Sequence, residues 1–161
     1  MKKLLFVLIL FLFADKTLSS QTVAKPINPL TDSVVAYAES FLGTPYKYAC
    51  ANPQAGFDCS GFVYFVFAHY GFVVPRSAKD YAHFGTDVSI TECRKGDIIL
   101  FRGTHPGDKE VGHVGIVISN QGEPLQFIHS SSSDNHWGVT ITDYFSSNYP
   151  KRFIKIIRVI N

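Results

Sequence analysis

Charge is scarce in this chain: Asp, Glu, Lys and Arg make up 17% of its 161 residues, against 46% hydrophobic residues. So little charge beside so much apolar side chain excludes a disordered segment, and the length suits a single globular core. An excess of one sign is also missing. The chain has fifteen basic and thirteen acidic residues, and without Lys2, Lys3, Lys16 and Asp15 the remainder holds twelve of each. A balanced remainder gives no electrostatic footprint for a nucleic-acid backbone, and none is expected as a partner. The basic group Lys151, Arg152, Lys155 and Arg158 reads as the solvated face of a strand.

No apolar run is long enough to cross a bilayer as a helix, which takes roughly 20 residues. The run Leu4 to Ala14 (LLFVLILFLFA) follows Lys2 and Lys3 and is followed by Ser19, Ser20 and Ala24, the outline of a secretory signal over residues 1–20. Gln21 stands where a lipidated signal would present cysteine, and no cysteine precedes Cys50. An exported protein in the periplasm or outside the cell is expected, without a stable membrane anchor after cleavage near Ser20 or Ala24. A linker follows over 21–30. Cysteine is sparse and odd in number, at three, which leaves one free thiol or an intermolecular bond. No C-x-x-C or H-x-x-x-H spacing supports a metal centre, even from Cys59, His113 and His129, so neither metal nor other cofactor is expected.

The segment Thr31 to Leu42 has Asp32 as a candidate cap and Val34, Val35, Ala38, Phe41 and Leu42 on one helical face, with Gly43 as the stop. A second helix is expected at Cys59 to Tyr70, capped by Asp58, ended by Gly71 and apolar on nearly every side, so it belongs in the core. Ser77 is a candidate cap for a short helix, Ala78 to Phe84. From Gly96 onward, short apolar runs bounded by turn residues read as strands: Ile98 to Phe101, His113 to Ile118, Leu125 to His129, Val139 to Ile141 and Phe153 to Ile160. Helices first and strands afterwards argue an α+β fold, N-terminal helices packed on one face of a mainly antiparallel sheet, as one domain over 31–161.

Cys59 would occupy the first turn of the buried helix, where free backbone N–H groups and the positive end of the dipole favour a thiolate and the Cys59 N–H can serve an oxyanion. A core cysteine is the plain alternative. His113, flanked by Gly112 and Gly115, opens a strand with room around the imidazole, the partner a thiol nucleophile needs. His129 falls on the strand after the hairpin at Asn120 to Pro124, where antiparallel pairing would lay it beside His113 to hold the ring. His69, His83, His105 and His136 read as structural.

At these residues the chain resembles the NlpC-type cell-wall peptidases, the NlpC and p-sixty group. The resemblance rests on Gly43-Thr-Pro-Tyr-Lys-Tyr48, Gly56-Phe-Asp-Cys-Ser-Gly-Phe-Val63, Pro75-Arg-Ser77, Lys95-Gly-Asp-Ile-Ile-Leu-Phe101, Gly112-His-Val-Gly-Ile-Val117, Phe127-Ile-His-Ser130 and Gly138-Val-Thr-Ile141, in family order. It implies a papain-like fold, with Cys59 as nucleophile, His113 as general base and His129 as the residue orienting that base. Tyr46 is similar to the family tyrosine near the oxyanion and substrate. Asp58 and Ser60 resemble the pair that caps the helix and lines the cleft, and Arg76 and Ser77 match a segment bordering the substrate groove.

The resemblance further implies a peptidoglycan endopeptidase acting on stem or cross-link peptides, with the D-glutamyl–diamino acid bond as the expected target. The alternatives are an N-acetylmuramoyl-L-alanine amidase or acyltransferase on the same fold, or a catalytically silent wall-binding protein. No wall-binding module is visible, so affinity is expected from the domain's own groove or an unidentified adaptor, the protein itself being a monomer. Cys50 and Cys93 depart from the family pattern and are expected to pair, leaving Cys59 free. Thr104 to Glu110 and Ser131 to Trp137 read as polar insertions flanking the cleft, which would bring His136 or Trp137 toward substrate.

Overall fold

The computed structural model describes residues 28–134 and 136–161. The expected signal at 1–20 and the linker up to residue 27 lie outside the described residues. Helix α1 (Pro29–Glu39) begins two residues before the expected Thr31, because Asn28 rather than Asp32 caps it. The Asn28 side chain accepts the Leu30 N–H at 3.1 Å, and Pro29 sits in the first turn, where a missing N–H costs no hydrogen bond. Asp32 instead takes the Lys95 ammonium at 2.8 Å. The helix stops at Glu39, leaving Leu42 half exposed in the turn that follows.

Two short strands, β1 (Ala51–Asn52) and β2 (Gly56–Phe57), pair as a hairpin and lead into α2 (Cys59–His69). Helix α2 buries Phe62, Val63, Val66 and Phe67. The expected third helix is a 3-10 helix over Ala78–His83, too short for an α-helical ladder, and Ser77 makes no side-chain capping bond. Strands β3 (Thr86–Val88), β4 (Ile98–Arg102), β5 (Val111–Val117), β6 (Gln126–Ser133), β7 (His136–Asp143) and β8 (Phe153–Arg158) form one antiparallel sheet in the order β3-β8-β4-β5-β6-β7. A 3-10 turn, Tyr149–Arg152, precedes β8.

The period-2 alternation of the central strands divides the core. Ile98, Leu100, Val114, Ile116 and Ile128 face the helices with Val34, Ala38, Phe62, Val66 and Phe67. Ile99, Phe101, Val117, Phe127 and Ile156 face the other way, covered by Tyr144, Tyr149 and Cys93. This is the expected α+β architecture with helices on one face.

Several details differ from expectation. Strand β3 pairs with β8 at the sheet edge although Thr86 and Asp87 are exposed and give no alternating signal. Ser131 to Ser133 and His136 to Trp137 belong to the β6–β7 ladder, which runs out to Ser133 opposite His136, and Ser132, Ser133, His136 and Trp137 are exposed there. Two of the four basic residues near the C-terminus are ion-paired, Lys155 with Asp87 at 2.6 Å and Arg158 with Asp97 at 2.8 Å. The expected disulfide is absent: all three cysteines are free thiols. Cys93 is buried in the cluster on the far side of the sheet and donates to the Ile90 carbonyl at 3.1 Å, whereas Cys50 lies at the start of α2, its carbonyl accepting the Asp58 N–H at 2.9 Å.

The seat of α2 is tight. A Cβ added at Gly61 would stand 2.1 Å from the Cys50 carbonyl oxygen, a backbone atom that cannot swing away. Gly61→Ala is therefore expected to cost about 3 kcal/mol through overpacking, read as a fall of roughly 10 °C in Tm; an unchanged Tm would show that the loop at Cys50 yields freely.

Candidate active site

Asp58 organises the start of α2. Its Oδ1 accepts the Gly61 N–H at 2.6 Å and the Ser60 hydroxyl at 3.1 Å. Both of its oxygens also meet the Arg76 guanidinium, Oδ1 at 3.0 Å and Oδ2 at 2.7 Å, a fork-to-fork pair. Arg76 Nη1 also reaches Ser60 Oγ at 3.3 Å. The sheet holds the same junction, because Ser130 Oγ on β6 donates to the Phe57 carbonyl at 2.7 Å. Cys59 thus starts the helix at a fixed place, partly exposed, with its Sγ in a long 4.0 Å contact with the Gly112 carbonyl oxygen, the residue before His113.

His113 and His129 come from adjacent antiparallel strands and project on the same face. His113 Nε2 lies 2.9 Å from His129 Nδ1, and His129 Nε2 lies 3.0 Å from Thr142 Oγ1 on β7. Gly115 makes the approach possible, since a Cβ there would stand 2.8 Å from the Phe127 ring and 3.1 Å from the His129 Cβ. For a neutral pair the hydrogen bonds can run in either direction. Only the outward one, His113 Nε2–H to His129 Nδ1 and His129 Nε2–H to Thr142, leaves His113 Nδ1 free to accept a proton.

Burial governs the ionisation of the site. It pushes His113 down to about 3, with the Arg152 cation adding to the effect. His129 is held well below its ordinary value by burial first, then by His113, Arg152 and His136. The Cys59 thiol moves up. The N–H groups of Val114, Ser60 and Cys59 itself do favour the thiolate, as its helix position leads one to expect, but desolvation outweighs them and Asp58 adds repulsion. The resting site therefore holds a neutral thiol beside neutral imidazoles.

Six of the expected residues, Tyr46, Asp58, Cys59, Ser60, Arg76 and Ser77, line one cavity of about 470 Å³. An adjoining cavity of about 650 Å³ shares Tyr46 and Gly112 with it and adds His113, Tyr149 and Arg152. His129 is buried behind His113 and borders a third cavity, of about 560 Å³, with His136 and Thr142. Tyr46 is set by the loop before it, which pairs with β7 through Gly43 N–H to Val139 O and Val139 N–H to Thr44 O, both 2.9 Å. Gly138 takes φ +115 there, and a Cβ on it would lie 2.4 Å from the Thr44 carbonyl oxygen. The Tyr46 ring meets exposed Trp137 edge-on at 5.1 Å. Among the described residues no three His, Cys, Asp or Glu side chains are grouped to hold a metal ion.

Three residues join this site unforeseen: Thr142, Tyr149 and Arg152, the last expected on the solvated face of a strand and found half-buried in the 3-10 turn before β8. Tyr149 packs among Phe101, His113, Phe127 and His129 in tilted and edge-on contacts, its hydroxyl 3.5 Å from His113 Nε2 and its ionisation pushed up to about 12 by burial. Arg152 lies over the Tyr149 ring, 4.8 Å from its centroid.

Residues 43–158 match the family model for NlpC/P60. The chain belongs to the NlpC/P60 family. It is 31% identical over 151 residues to the gamma-DL-glutamyl hydrolase of Bacillus subtilis (strain 168), covering 92% of this chain and 34% of that protein. It is 37% identical over 120 residues to murein DD-endopeptidase MepS/murein LD-carboxypeptidase of Escherichia coli (strain K12), covering 74% and 57%. It therefore spans about a third to just over half of these relatives' lengths. The crystal structure of an NlpC/P60 family protein from Bacillus cereus superposes with a TM-score of 0.69 at 28% identity, covering 80% of this chain and 39% of that one. The α+β arrangement is the papain-like one of NlpC/P60 domains.

Two outcomes follow for the NlpC/P60 site. Alkylation of Cys59 by iodoacetamide, followed by peptide mapping, is expected to speed up nearly tenfold per unit from about pH 6 to 9, as a thiol with a raised pKa ionises; a rate already at its plateau near pH 7 would mean a preformed thiolate–imidazolium pair. Thr142→Val keeps the side-chain shape but leaves the buried His129 Nε2–H unpaired, which should cost about 1–3 kcal/mol in thermal unfolding, while Thr142→Ser should retain most of the stability.

Proposed function

We propose that this domain is an exported cysteine peptidase that hydrolyses peptidoglycan peptides, with Cys59 as nucleophile, His113 as general base and His129 as the residue that orients it. The observation that carries the reading is a cysteine at a helix N-terminus, its Sγ 4.0 Å from the carbonyl of Gly112, the residue before His113, whose Nε2 is tied to a second histidine; the cavities that Cys59 and His113 line adjoin at Tyr46 and Gly112. When a peptide carbonyl settles beside Cys59, the thiol proton passes to His113 Nδ1 and the sulfur attacks. The tetrahedral oxyanion meets the Cys59 N–H, with Tyr46 on the same cavity wall. His113 then gives its proton to the departing amine. Water, activated by the same imidazole, hydrolyses the thioester. The chemistry is complete with protein groups and water.

Asp58, Ser60, Arg76 and Ser77 border the acyl side of the groove in this reading, Asp58 chiefly as the group that holds Arg76 in place. The D-glutamyl–diamino acid bond is the proposed target. The name of the gamma-DL-glutamyl hydrolase supports it, while that of the murein DD-endopeptidase points to a cross-link bond. Export rests on the signal-like residues 1–20.

The test is digestion of purified peptidoglycan by the intact protein, Cys59→Ala and His113→Ala, with the products identified by mass spectrometry. New termini after D-glutamate from the intact protein, with losses of at least about a thousandfold in each variant, are expected. Release of whole stem peptides from the glycan would make the protein an amidase, and wall binding without hydrolysis in reductant would make it a binding protein. Equal cutting by Cys59→Ala would remove Cys59 as the nucleophile.

A further inference from the structure

The chemistry gives the groove a direction. His113 must hand its proton to the leaving amine, so the amine fragment lies on the His113 side of the sulfur and the acyl fragment on the Asp58–Arg76 side. The His113 side is the cavity of about 650 Å³ that Tyr149 and Arg152 line. Arg152 is the unexplained group there. Its Nη1 donates to the Arg102 carbonyl at 3.2 Å, while Arg102 donates back to the Lys151 carbonyl, so the end of β4 and the turn before β8 hold each other. Its guanidinium carbon lies over the Tyr149 ring. Among the described residues no carboxylate forms an ion pair with it.

Two acids line that cavity: Asp108, which accepts the His105 N–H at 3.0 Å, and exposed Asp134 at the tip of the β6–β7 hairpin, and neither is ion-paired with Arg152. A guanidinium has five N–H donors in a rigid fork. Here the side chain is half-buried, pinned from both sides, uncompensated in charge and open to the amine side of the groove. A fork of that kind suits a carboxylate, bound through two parallel charge-assisted hydrogen bonds.

We propose that Arg152 is a specificity residue that recognises a free carboxylate on the amine fragment, one or two residues beyond the scissile nitrogen; the inference rests on the peptidase reading above. Arg152 and His113 both pack against the Tyr149 ring, 4.8 and 5.7 Å from its centroid, and a residue of extended chain spans about 3.5 Å, which sets that reach. Peptides with an uncapped C-terminus close to the cut are then preferred over the same peptides blocked or extended there.

The experiment uses the stem tripeptide L-alanyl-γ-D-glutamyl-L-lysine and the tetrapeptide that adds D-alanine, each as the free acid and as the C-terminal amide. For at least one pair the intact protein is expected to show a kcat/KM ratio of acid to amide of about ten or more. The ratio should collapse toward one in Arg152→Gln and be intermediate in Arg152→Lys. Because the ratio is taken within one protein, a partly unfolded variant does not mimic the effect.

A ratio near one in the intact protein for both pairs, or a ratio that Arg152→Gln leaves standing, overturns the inference. Titration calorimetry of L-lysyl-D-alanine and its amide into Cys59→Ala, with and without Arg152→Gln, decides the matter apart from turnover. A preference for the acid that Arg152→Gln abolishes supports the carboxylate site even if no peptide is cut, an outcome that would count against the peptidase reading alone. Equal or undetectable binding of the two fragments overturns it.

Discussion

The Asp58 carboxylate is the group on which the geometry of the site turns. One side chain ends the hairpin, caps α2 through the Gly61 N–H, takes the Ser60 hydroxyl and pairs with Arg76. Each bond is ordinary alone. Together they fix the first turn of a helix that is apolar on nearly every side and would otherwise be held by non-directional packing. The position of Cys59 follows from that fixed start, and the Asp58–Arg76 pair becomes a wall of the groove at the same time. Gly61 against the Cys50 carbonyl and Gly115 against Phe127 and His129 are the matching steric conditions, since they let α2 approach the Cys50 loop and the His113 strand approach His129 closely.

The electrostatics set one principle against another. A helix N-terminus favours a thiolate, and the backbone N–H groups around Cys59 act in that direction. Desolvation acts the other way and wins, as it does at His113 and His129, where the nearby Arg152 cation adds to the penalty on a positive imidazole. The result is a resting site without a formal charge on its thiol or its two imidazoles. An imidazole held that low has its Nδ1 unprotonated across the ordinary pH range, and the same burial makes it a weak base. The cost is that the nucleophile must be deprotonated as substrate engages, which makes the orientation of the His113 ring, set by His129 and Thr142, the quantity to protect.

Much of this was legible in local pattern. Asp58 before an apolar run, Gly71 after it, and glycines around His113 are short-range signals, and they led to α2, its cap and strand β5 with small boundary errors. His129 followed from the hairpin, because antiparallel pairing places strand neighbours at definite offsets. The start of α1 was misread because Asp32 and Asn28 both resemble caps, and the Asn-Pro step decides in favour of Asn28. Strand β3 exists through its pairing with β8, a contact that joins Thr86 to Arg158 and leaves no mark on either segment alone. Tyr149 and Arg152 reach the site through the return of the chain after β7, and Thr142 reaches it from β7 itself, opposite Phe127 on β6; none of these contacts marks the local sequence. The expected pairing of Cys50 with Cys93 rested on their departure from the family pattern beside an odd number of thiols, and neither signal carries the sheet that stands between them.

The claim that most needs a direct test is the protonation of the histidine pair. Nitrogen-15 NMR of the imidazole rings, assigned with His113→Ala and His129→Ala and followed from about pH 5 to 9, reports tautomer and charge together. Both rings are expected to be neutral throughout, with the proton on Nε2 in each, His113 becoming charged only as the pH approaches about 3. An imidazolium at His113 near pH 7, or a neutral ring there with its proton on Nδ1, would contradict it.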